Sequence, residues 1–400
     1  MRPSMTWAGL TAALLAGWAS ISTPALSASL TAADRARIAA IENGLVPSAS
    51  AGGAQSGPAT LASRMAAVHV PGVSIAFFDH GRIVWAKGYG LANVASGRPV
   101  TPDTLFEAGS ISKAVAATAA LRLVDAGKFD LDQDVNGRLK AWRVPENDFT
   151  VQQKVTLRRL LSHSAGLTVH GFNGYARGQP VPTIVQILNG QPPANSAPVV
   201  VAAVPGTHWS YSGGGYVVTQ LLLTETTGLA FPELMRKTVF GPVGMAHSTY
   251  QQPLPERLWS RVATGYHGDG QPVAGDWHVY PEMAAAGLWT TPSDLARWAI
   301  EIQKDNAGRS HRLLSTAMAR QMLTRQMASW GLGVELTDRA DTRRFGHSGD
   351  DQGFQNDLEA FVTGSGQGIV IMTNGDAGNE LIWEILGAAA KTYGWTSFQP

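Results

Sequence analysis

The chain has 400 residues, of which 44% are hydrophobic and 15% are charged. This length and composition predict a sizeable core and two structural lobes. There are 31 Lys and Arg against 30 Asp and Glu, with no basic run, so nucleic acid is a poor candidate partner. The lack of cysteine excludes disulfides, a thiolate nucleophile and a lipid-modified N-terminal cysteine.

Residues 1–28 have the pattern of a cleavable secretory signal. Arg2 provides a positive charge, residues 7–21 form an apolar run, and residues 24–28 provide small side chains for cleavage. An uncleaved membrane anchor is the alternative, but the run is short for a bilayer span of ~20 residues. We therefore expect a bacterial periplasmic or secreted protein with no stable membrane insertion after cleavage.

The next segment, residues 29–60, is predicted to be an N-terminal extension. Residues 31–43 favour a short polar helix, and residues 44–60 are small, nearly uncharged and rich in Gly, Ser and Pro, as in a flexible linker. We expect the globular domain to cover residues 61–395.

Short strands at both ends of that domain predict an antiparallel sheet. Apolar runs at 73–78 and 83–86 flank the turn Asp79–Arg82, and a second strand pair is predicted at 358–362 and 368–373. Predicted helices are 61–69, 114–126, 216–226, 292–303 and 380–393. The expected fold class is α/β (α+β): an antiparallel sheet flanked by helices, from about 61–115 and 290–395, with a mainly helical lobe inserted at about 116–289.

The strongest local pattern is Gly-Ser-Ile-Ser-Lys at residues 109–113, directly before a predicted helix. Ser110 and Lys113 share one helical face, so the amine can reach the hydroxyl. Burial lowers a lysine pKa, and a neutral lysine can remove the serine proton. A helix N-cap serine and a solvated lysine explain the same pattern when it is taken alone.

Two further segments carry residues suited to a cleft. Tyr211 lies in WSYSGGGY, before another predicted helix, where its hydroxyl could relay a proton. His347 lies in FGHSGD, which fits the entry to an edge strand beside a cleft. A backbone N–H in this segment could pair with that of Ser110 as an oxyanion hole.

In chain order, SISK, YSG and HSG resemble the motif set of the serine β-lactamase and penicillin-binding-protein family. The order in that family is Ser-x-x-Lys, Tyr-x-Asn, then Lys-Thr-Gly or His-x-Gly, and its members include class C β-lactamases, D,D-peptidases, D-aminopeptidases and esterases. LLSHSAGL at 160–167 and AAAGLWTTPSDLARW at 284–298 are similar to other family segments. The resemblance covers roughly residues 61–395.

The resemblance implies a role for each matching residue. Ser110 would be the nucleophile, and Lys113 and Tyr211 the general base and proton shuttle, with their division of labour open. The backbone N–H groups of Ser110 and Asp350 would bind the oxyanion. His347, Ser348, Gly349 and Gly213 would contact the substrate. No metal or organic cofactor is implied.

Two departures from the family pattern bear on the substrate. Gly213 replaces the Asn of Tyr-x-Asn, and His347 replaces a cationic lysine that suits a substrate carboxylate. Arg343 and Arg344 lie just upstream and could restore positive charge. We therefore expect an exported hydrolase of esters, small amides or D-amino-acid peptides. A class C-type β-lactamase and a non-catalytic cell-wall-binding module are the alternatives, and the oligomeric state is not predicted.

Other candidates are given structural roles. His163 is expected to tether a loop, and Trp209, Trp289 and Trp330 are expected to be core more often than cleft residues. No serine has glycine both two positions before and two after it, as an α/β-hydrolase elbow requires. The ten histidines are scattered and include no His-Glu-x-x-His.

Overall fold

The computed structural model describes residues 30–47, 57–339 and 342–395. The predicted signal at 1–28 and residues 48–56 of the predicted linker lie outside the described residues. Within the three ranges, no helix combines the length and apolarity needed to cross a bilayer.

A seven-stranded antiparallel sheet organises the fold, in the order β3-β2-β1-β11-β10-β9-β8. Both ends of the domain contribute to it, as predicted. The strands are β1 Gly72–Asp79, β2 Arg82–Asn93, β3 Arg98–Pro99, β4 Phe106–Glu107, β5 Tyr175–Ala176, β6 His278–Val279, β7 Trp289–Thr290, β8 Glu335–Arg339, β9 Thr342–Asp351, β10 Phe354–Phe361 and β11 Gly368–Thr373. Two short pairs, β4 with β7 and β5 with β6, lie outside the large sheet.

Helices cover both faces of the sheet and form the region between its two halves. They are α1 Ala32–Glu42, α2 Leu61–Ala67, α3 Ile111–Asp125, α4 Leu157–Leu161, α5 Ile184–Asn189, α6 Gly213–Thr227, α7 Phe231–Met235, α8 Gly241–Val243, α9 Met283–Ala286, α10 Pro292–Asn306, α11 Thr316–Met322 and α12 Gly378–Tyr393. Short helical turns occur at Val135–Gly137, Asp148–Thr150, Arg236–Phe240 and Glu256–Arg261.

Strand β1 shows why the sheet is covered on both faces. Val73, Ile75 and Phe77 point into a core shared with α1, α2 and α12. Ala76 and Phe78 point into the larger core that contains α3, α6 and α10. Side chains alternate between faces along a strand, so an unbroken apolar run fits a strand with a packed layer on each side.

Helix α1, within the predicted N-terminal extension, packs against the globular domain. Ile38 and Ile41 of α1 and the following Leu45 are buried in the core beneath α12. Leu45 also pairs with Ala59 through a β-bridge, so the two ends of the predicted linker meet. The isoleucines share one face of an otherwise polar helix, and that face is enough to dock it. The division of the domain into lobes at about 115 and 290 stays a prediction.

The segment around His347 was expected to form the entry to an edge strand, but the strand begins earlier, at Thr342. The segment lies inside β9, which pairs with β10 from Arg344 to Asp351 but with β8 only as far as Gly346. From His347 to Asp351 one side of the strand is therefore left without a strand partner. This unpaired stretch faces α3 and forms one wall of a cleft.

Candidate active site

Ser110 directly precedes α3, but its hydroxyl does not cap the backbone N–H groups of the helix. Gly109 has φ +53°, a left-handed conformation that favours glycine, and Ser110 has φ −66° and ψ −11°. The Ser110 side chain makes no capping hydrogen bond to the helix. Its Oγ therefore stays available to other partners, which the N-cap interpretation of the sequence did not allow for.

Lys113 is fully buried and contacts Ser110 directly. Its Nζ lies 2.8 Å from Ser110 Oγ and donates a 2.7 Å hydrogen bond to the carbonyl oxygen of Ala285 in α9. Burial lowers the pKa of Lys113 to about 7, against an opposing attraction from the Asp351 carboxylate. Near neutral pH, a large share of Lys113 is therefore an uncharged amine with a lone pair for the hydroxyl proton.

Tyr211 lies beside the same pair of residues. The centre of its ring is 5.0 Å from Lys113 Nζ. Burial raises the pKa of Tyr211, although a hydrogen bond with Ser110 partly opposes the rise. The phenol thus keeps its proton at neutral pH, which suits a proton donor or relay better than a base.

His163 holds Tyr211 in place, as the sequence prediction of a tethering role implied. Its carbonyl oxygen accepts from the N–H of Ser210 at 2.8 Å, and its Nδ1 accepts from the N–H of Ser212 at 3.1 Å. The imidazole stacks on the Tyr211 ring at 4.2 Å between centroids. Burial is the main cause that keeps the pKa of His163 well below its usual range, so the ring is neutral.

His347 is buried and also uncharged. Burial, followed by the positive charge of Lys113, lowers its pKa to about 3. Its Nδ1 lies 2.6 Å from the carbonyl oxygen of Ser348, and its ring lies 5.1 Å from that of Trp330. His347 therefore carries no positive charge toward a substrate at neutral pH.

Two glycines allow the segment that carries Ser110 to pack against β9. A Cβ on Gly109 would lie 2.4 Å from the backbone nitrogen of Asp350, and a Cβ on Gly349 would lie 2.0 Å from the carbonyl oxygen of Ala108. Real Cβ contacts are not this short, so only glycine permits the two backbones to approach. The approach brings the backbone of Ser110 beside that of Asp350, the pair expected to bind an oxyanion.

A cleft of about 770 Å³ joins these parts. Ser110, Lys113, Tyr211, His347 and Asp350 all line it. Its other lining residues are His170, Gly171, Phe172, Asn173, Trp209, Tyr280, Ala286, Trp330, Glu335, Ser348, Asp351, Gln352, Gln355 and Asp376. Residues from distant parts of the sequence thus converge in one groove of a size that suits a small molecule.

Two of the predicted contact residues lie beneath the cleft rather than on its surface. Gly213 begins α6, and a Cβ there would lie 3.0 Å from the carbonyl oxygen of His170. Gly349 packs against the backbone of Ala108 as described above. Because Gly213 has no side chain, the start of α6 can pack closely against the backbone of His170, which belongs to the cleft wall.

Arg343 and Arg344, which were expected to restore positive charge at the site, form ion pairs outside the cleft. Arg343 pairs with Asp338 at 3.1 Å, and Arg344 lies 3.5 Å from Glu359. Neither arginine lines the cleft. Opposite charges on the neighbouring strands β8 and β10 attract these side chains away from the site.

The three tryptophans expected in the core differ in position, and Trp330 is both buried, at 6% exposure, and part of the cleft lining. Trp289 is fully buried in the core, but Trp209 and Trp330 line the cleft, with their rings stacked 5.9 Å apart. Trp209 is 37% exposed. The sequence does not distinguish these cases because an aromatic residue beside a Gly-rich turn fits either a core or a cleft.

The sequence analysis missed a pair of buried carboxyl groups near Lys113. Glu107 is 1% exposed and Asp351 is 3% exposed. Burial raises the pKa of each group, and the carboxylate of Asp351 raises that of Glu107 further. Neither residue has a signal in the sequence, because β4 is two residues long and Asp351 ends a strand. The ranges described contain no group of His, Asp and Glu placed to hold a metal ion.

Comparison with known proteins defines the class. The family model described as Beta-lactamase matches residues 58–387, so the chain belongs to the beta-lactamase family, a family of serine hydrolases. This confirms the resemblance seen in the motifs.

The chain is similar to proteins whose names describe several kinds of activity. It is 30% identical to Penicillin-binding protein 4 of Amycolatopsis lactamdurans, across 80% of this chain and 86% of that protein. It is 33% identical to Esterase EstB of Burkholderia gladioli, across 48% of this chain and 49% of that protein. The structure of an octameric penicillin-binding protein homologue from Pyrococcus abyssi matches with a TM-score of 0.69 and 25% identity, over 84% of this chain and 76% of that one. The expected fold is thereby confirmed.

Proposed function

We propose that this chain is a serine hydrolase that cleaves an ester or amide bond through an acyl-enzyme on Ser110. The observation that carries the proposal is the 2.8 Å contact between Ser110 Oγ and the buried Nζ of Lys113 at the floor of the cleft. The pKa of Lys113, lowered to about 7, supports its role as the base.

In the first step the neutral amine of Lys113 takes the hydroxyl proton of Ser110. The Oγ then attacks the substrate carbonyl carbon, and the carbonyl oxygen becomes an oxyanion between the backbone N–H groups of Ser110 and Asp350. As the bond to the leaving group breaks, Tyr211 gives that group a proton and recovers one from Lys113. Water then attacks the acyl carbon, the reverse proton transfers release the acid, and Ser110 is regenerated.

Electrostatics favour esters and small amides over substrates recognised by a carboxylate. His347 stands where the family pattern has either a cationic lysine or a histidine, and its pKa of about 3 leaves it neutral. Arg343 and Arg344 pair with carboxylates outside the cleft. Lys113 is the only Lys or Arg among the residues that line the cleft. A penicillin carboxylate would therefore find little compensation here.

Mass spectrometry of the intact chain after treatment with a fluorophosphonate tests the nucleophile. We expect one adduct on Ser110 that is absent from Ser110→Ala. Ser365→Ala, which removes an exposed hydroxyl outside the cleft, is the matched control and should label normally. No adduct and no turnover, with binding to peptidoglycan intact, would favour a non-catalytic module instead.

A substrate panel then separates the hydrolase classes by kcat/KM. p-Nitrophenyl esters and D-alanyl amides should be cleaved better than nitrocefin. Nitrocefin as the best substrate would instead identify a class C-type β-lactamase. We further propose export, on the basis of the signal pattern at 1–28. N-terminal sequencing of the protein recovered from a bacterial periplasm tests this, since cleavage is expected after Ser27 or Ala28.

A further inference from the structure

The walls of the cleft differ in chemistry. One wall is aromatic and contains Trp209, Tyr211 and Trp330. The other carries Asp350, Gln355 and Asp376. Among the described residues that line the cleft, Asp and Glu outnumber Lys and Arg by four to one. The four acidic residues are Glu335, Asp350, Asp351 and Asp376.

Gln355 supplies an acceptor that no group in the described part of the chain satisfies. The residue is only 5% exposed, and its Nε2 donates a 2.7 Å hydrogen bond to Asp350 Oδ1. Because this bond fixes the orientation of the amide, Oε1 is left as the free end, and it is buried without a partner. A buried acceptor without a donor is costly, so this atom indicates a missing hydrogen-bond donor.

Asp376 places a second carboxylate near the first. Its Oδ1 accepts from the N–H of Gly353 at 2.6 Å, and its Oδ2 lies 2.9 Å from His267 Nδ1. The pKa of Asp350 is raised, first by burial and then by the negative charge of Asp376. Both carboxylates line the same cleft and repel each other, so a cation bound in the cleft would be attracted by both.

We propose that Asp350, Gln355 and Asp376 form a subsite for an ammonium group of the substrate. This inference rests on the proposed hydrolase function and narrows its substrates to esters or amides that bear a primary amine. An ammonium group has three donors and no acceptor, which matches a set of two carboxylates and an unpartnered amide oxygen. Asp350, Gln355 and Asp376 line the same cleft as Ser110, and the Asp350 backbone adjoins that of Gly109, a proximity that suits the α-amine of an amino-acyl compound.

Binding to the full chain with Ser110→Ala tests the subsite without any need for turnover. Alaninamide and propionamide differ only by the amine, and both enantiomers of alaninamide should be titrated at neutral pH by isothermal calorimetry. We expect at least one enantiomer to bind about tenfold more tightly than propionamide, or better, in line with a charge-assisted hydrogen bond. Equal binding of the two amides, or no detectable binding of alaninamide, would overturn the proposal.

Two substitutions sharpen the test. Asp350→Asn and Asp376→Asn, each added to Ser110→Ala, should reduce the preference for alaninamide by about tenfold. Glu146→Gln, which removes an exposed carboxylate outside the cleft, is the matched control and should keep the preference. General damage to the fold would weaken the binding of both amides alike, so the test relies on the ratio of the two affinities. A ratio that survives both substitutions contradicts the subsite.

Catalysis separates the two proposals. Alanine p-nitroanilide should have a kcat/KM about tenfold or more above that of propionyl p-nitroanilide. If Ser110 takes no fluorophosphonate label but alaninamide is still preferred, the subsite stands and the hydrolase mechanism is wrong. If Ser110 is labelled and the two anilides are cleaved equally, the mechanism stands and the ammonium subsite is wrong.

Discussion

Two clusters of buried charge in this molecule are built in opposite ways. Beneath α12, Arg64 donates to both oxygens of Glu384 at 2.8 and 2.7 Å and to Glu380 at 2.7 Å. Near Ser110, neither Lys113 nor the neighbouring carboxyl groups of Glu107 and Asp351 form an ion pair within the described ranges. Lys113 Nζ instead contacts Ser110 Oγ and the carbonyl oxygen of Ala285.

The difference lies in the pKa values that each cluster produces. Fully paired partners keep their charges, and hydrogen bonds with Glu384 raise the pKa of Arg64. Incomplete pairing lets burial dominate, which lowers the pKa of Lys113 to about 7 and raises those of Glu107 and Asp351. The first arrangement stabilises the fold, whereas the second gives up stability for a lysine that can exchange its proton near neutral pH.

Lys113→Met should separate activity from stability most strongly. We expect kcat/KM for a p-nitrophenyl ester to fall by about 10³-fold or more, because no other amine reaches Ser110. The free energy of unfolding at neutral pH should nevertheless rise by about 1–3 kcal/mol, because an awkwardly buried amine is replaced by an apolar side chain. Urea denaturation and steady-state kinetics measure the two effects.

The size of the stability gain in Lys113→Met should fall as the pH rises. The unfolded chain protonates Lys113 with a pKa of 10.5, and the folded chain does so with a pKa of about 7. The cost of burying the amine is therefore complete below about pH 7 and disappears as the pH rises toward 10.5. Lys154→Met, at an exposed pair with Glu146, is the control and should change neither quantity much. A Lys113→Met protein with full activity would contradict the assigned role.

Arg64→Met should show the opposite behaviour. Loss of the guanidinium leaves Glu384 buried without its partner, which typically costs about 3–5 kcal/mol. The kcat/KM of the folded protein should stay within about twofold of the wild type, because Arg64 lies across the sheet from the cleft. Glu380→Gln, at the more exposed partner, should cost less than about 1 kcal/mol. Equal destabilisation by both substitutions would show that Glu384 is not the essential partner.

Tyr211→Phe should have the next largest effect on activity. Removal of a proton relay typically lowers kcat by about 10²-fold, while the ring and its stacking on His163 are retained. Tyr216→Phe is a matched control, since it also removes a buried phenol hydroxyl, one that donates to the carbonyl oxygen of Leu161. The control should lose about 1 kcal/mol of stability and little activity. Similar kcat values for the two variants would exclude the relay.

Local patterns in the sequence were enough to predict four of the seven strands of the sheet, β1, β2, β10 and β11, and the main helices. Alternating and apolar runs identified β1, β2 and β11 because side-chain alternation is a local property. The docking of α1 was missed because two isoleucines in a polar helix do not reveal which surface they cover. Helix α3 begins at Ile111 rather than near 114, so the predicted start was late by about one turn.

The site was predictable only where motif order carried the information. Ser110, Lys113, Tyr211 and His347 all line one cleft. The carboxyl groups of Glu107, Asp351 and Asp376 were not predicted, because their burial depends on contacts between segments far apart in sequence. The same limit explains why Trp209 and Trp330 were expected in the core.

The most direct test of the central claim is the rate at which a neutral fluorophosphonate labels Ser110, measured by mass spectrometry from about pH 5 to about pH 9. The protonated form of Lys113 cannot accept the hydroxyl proton, so the rate should rise about tenfold per pH unit below about pH 7 and then level off. The rise should be absent from Lys113→Met. A rate that is independent of pH, or unchanged in Lys113→Met, would contradict activation of Ser110 by a neutral, buried lysine.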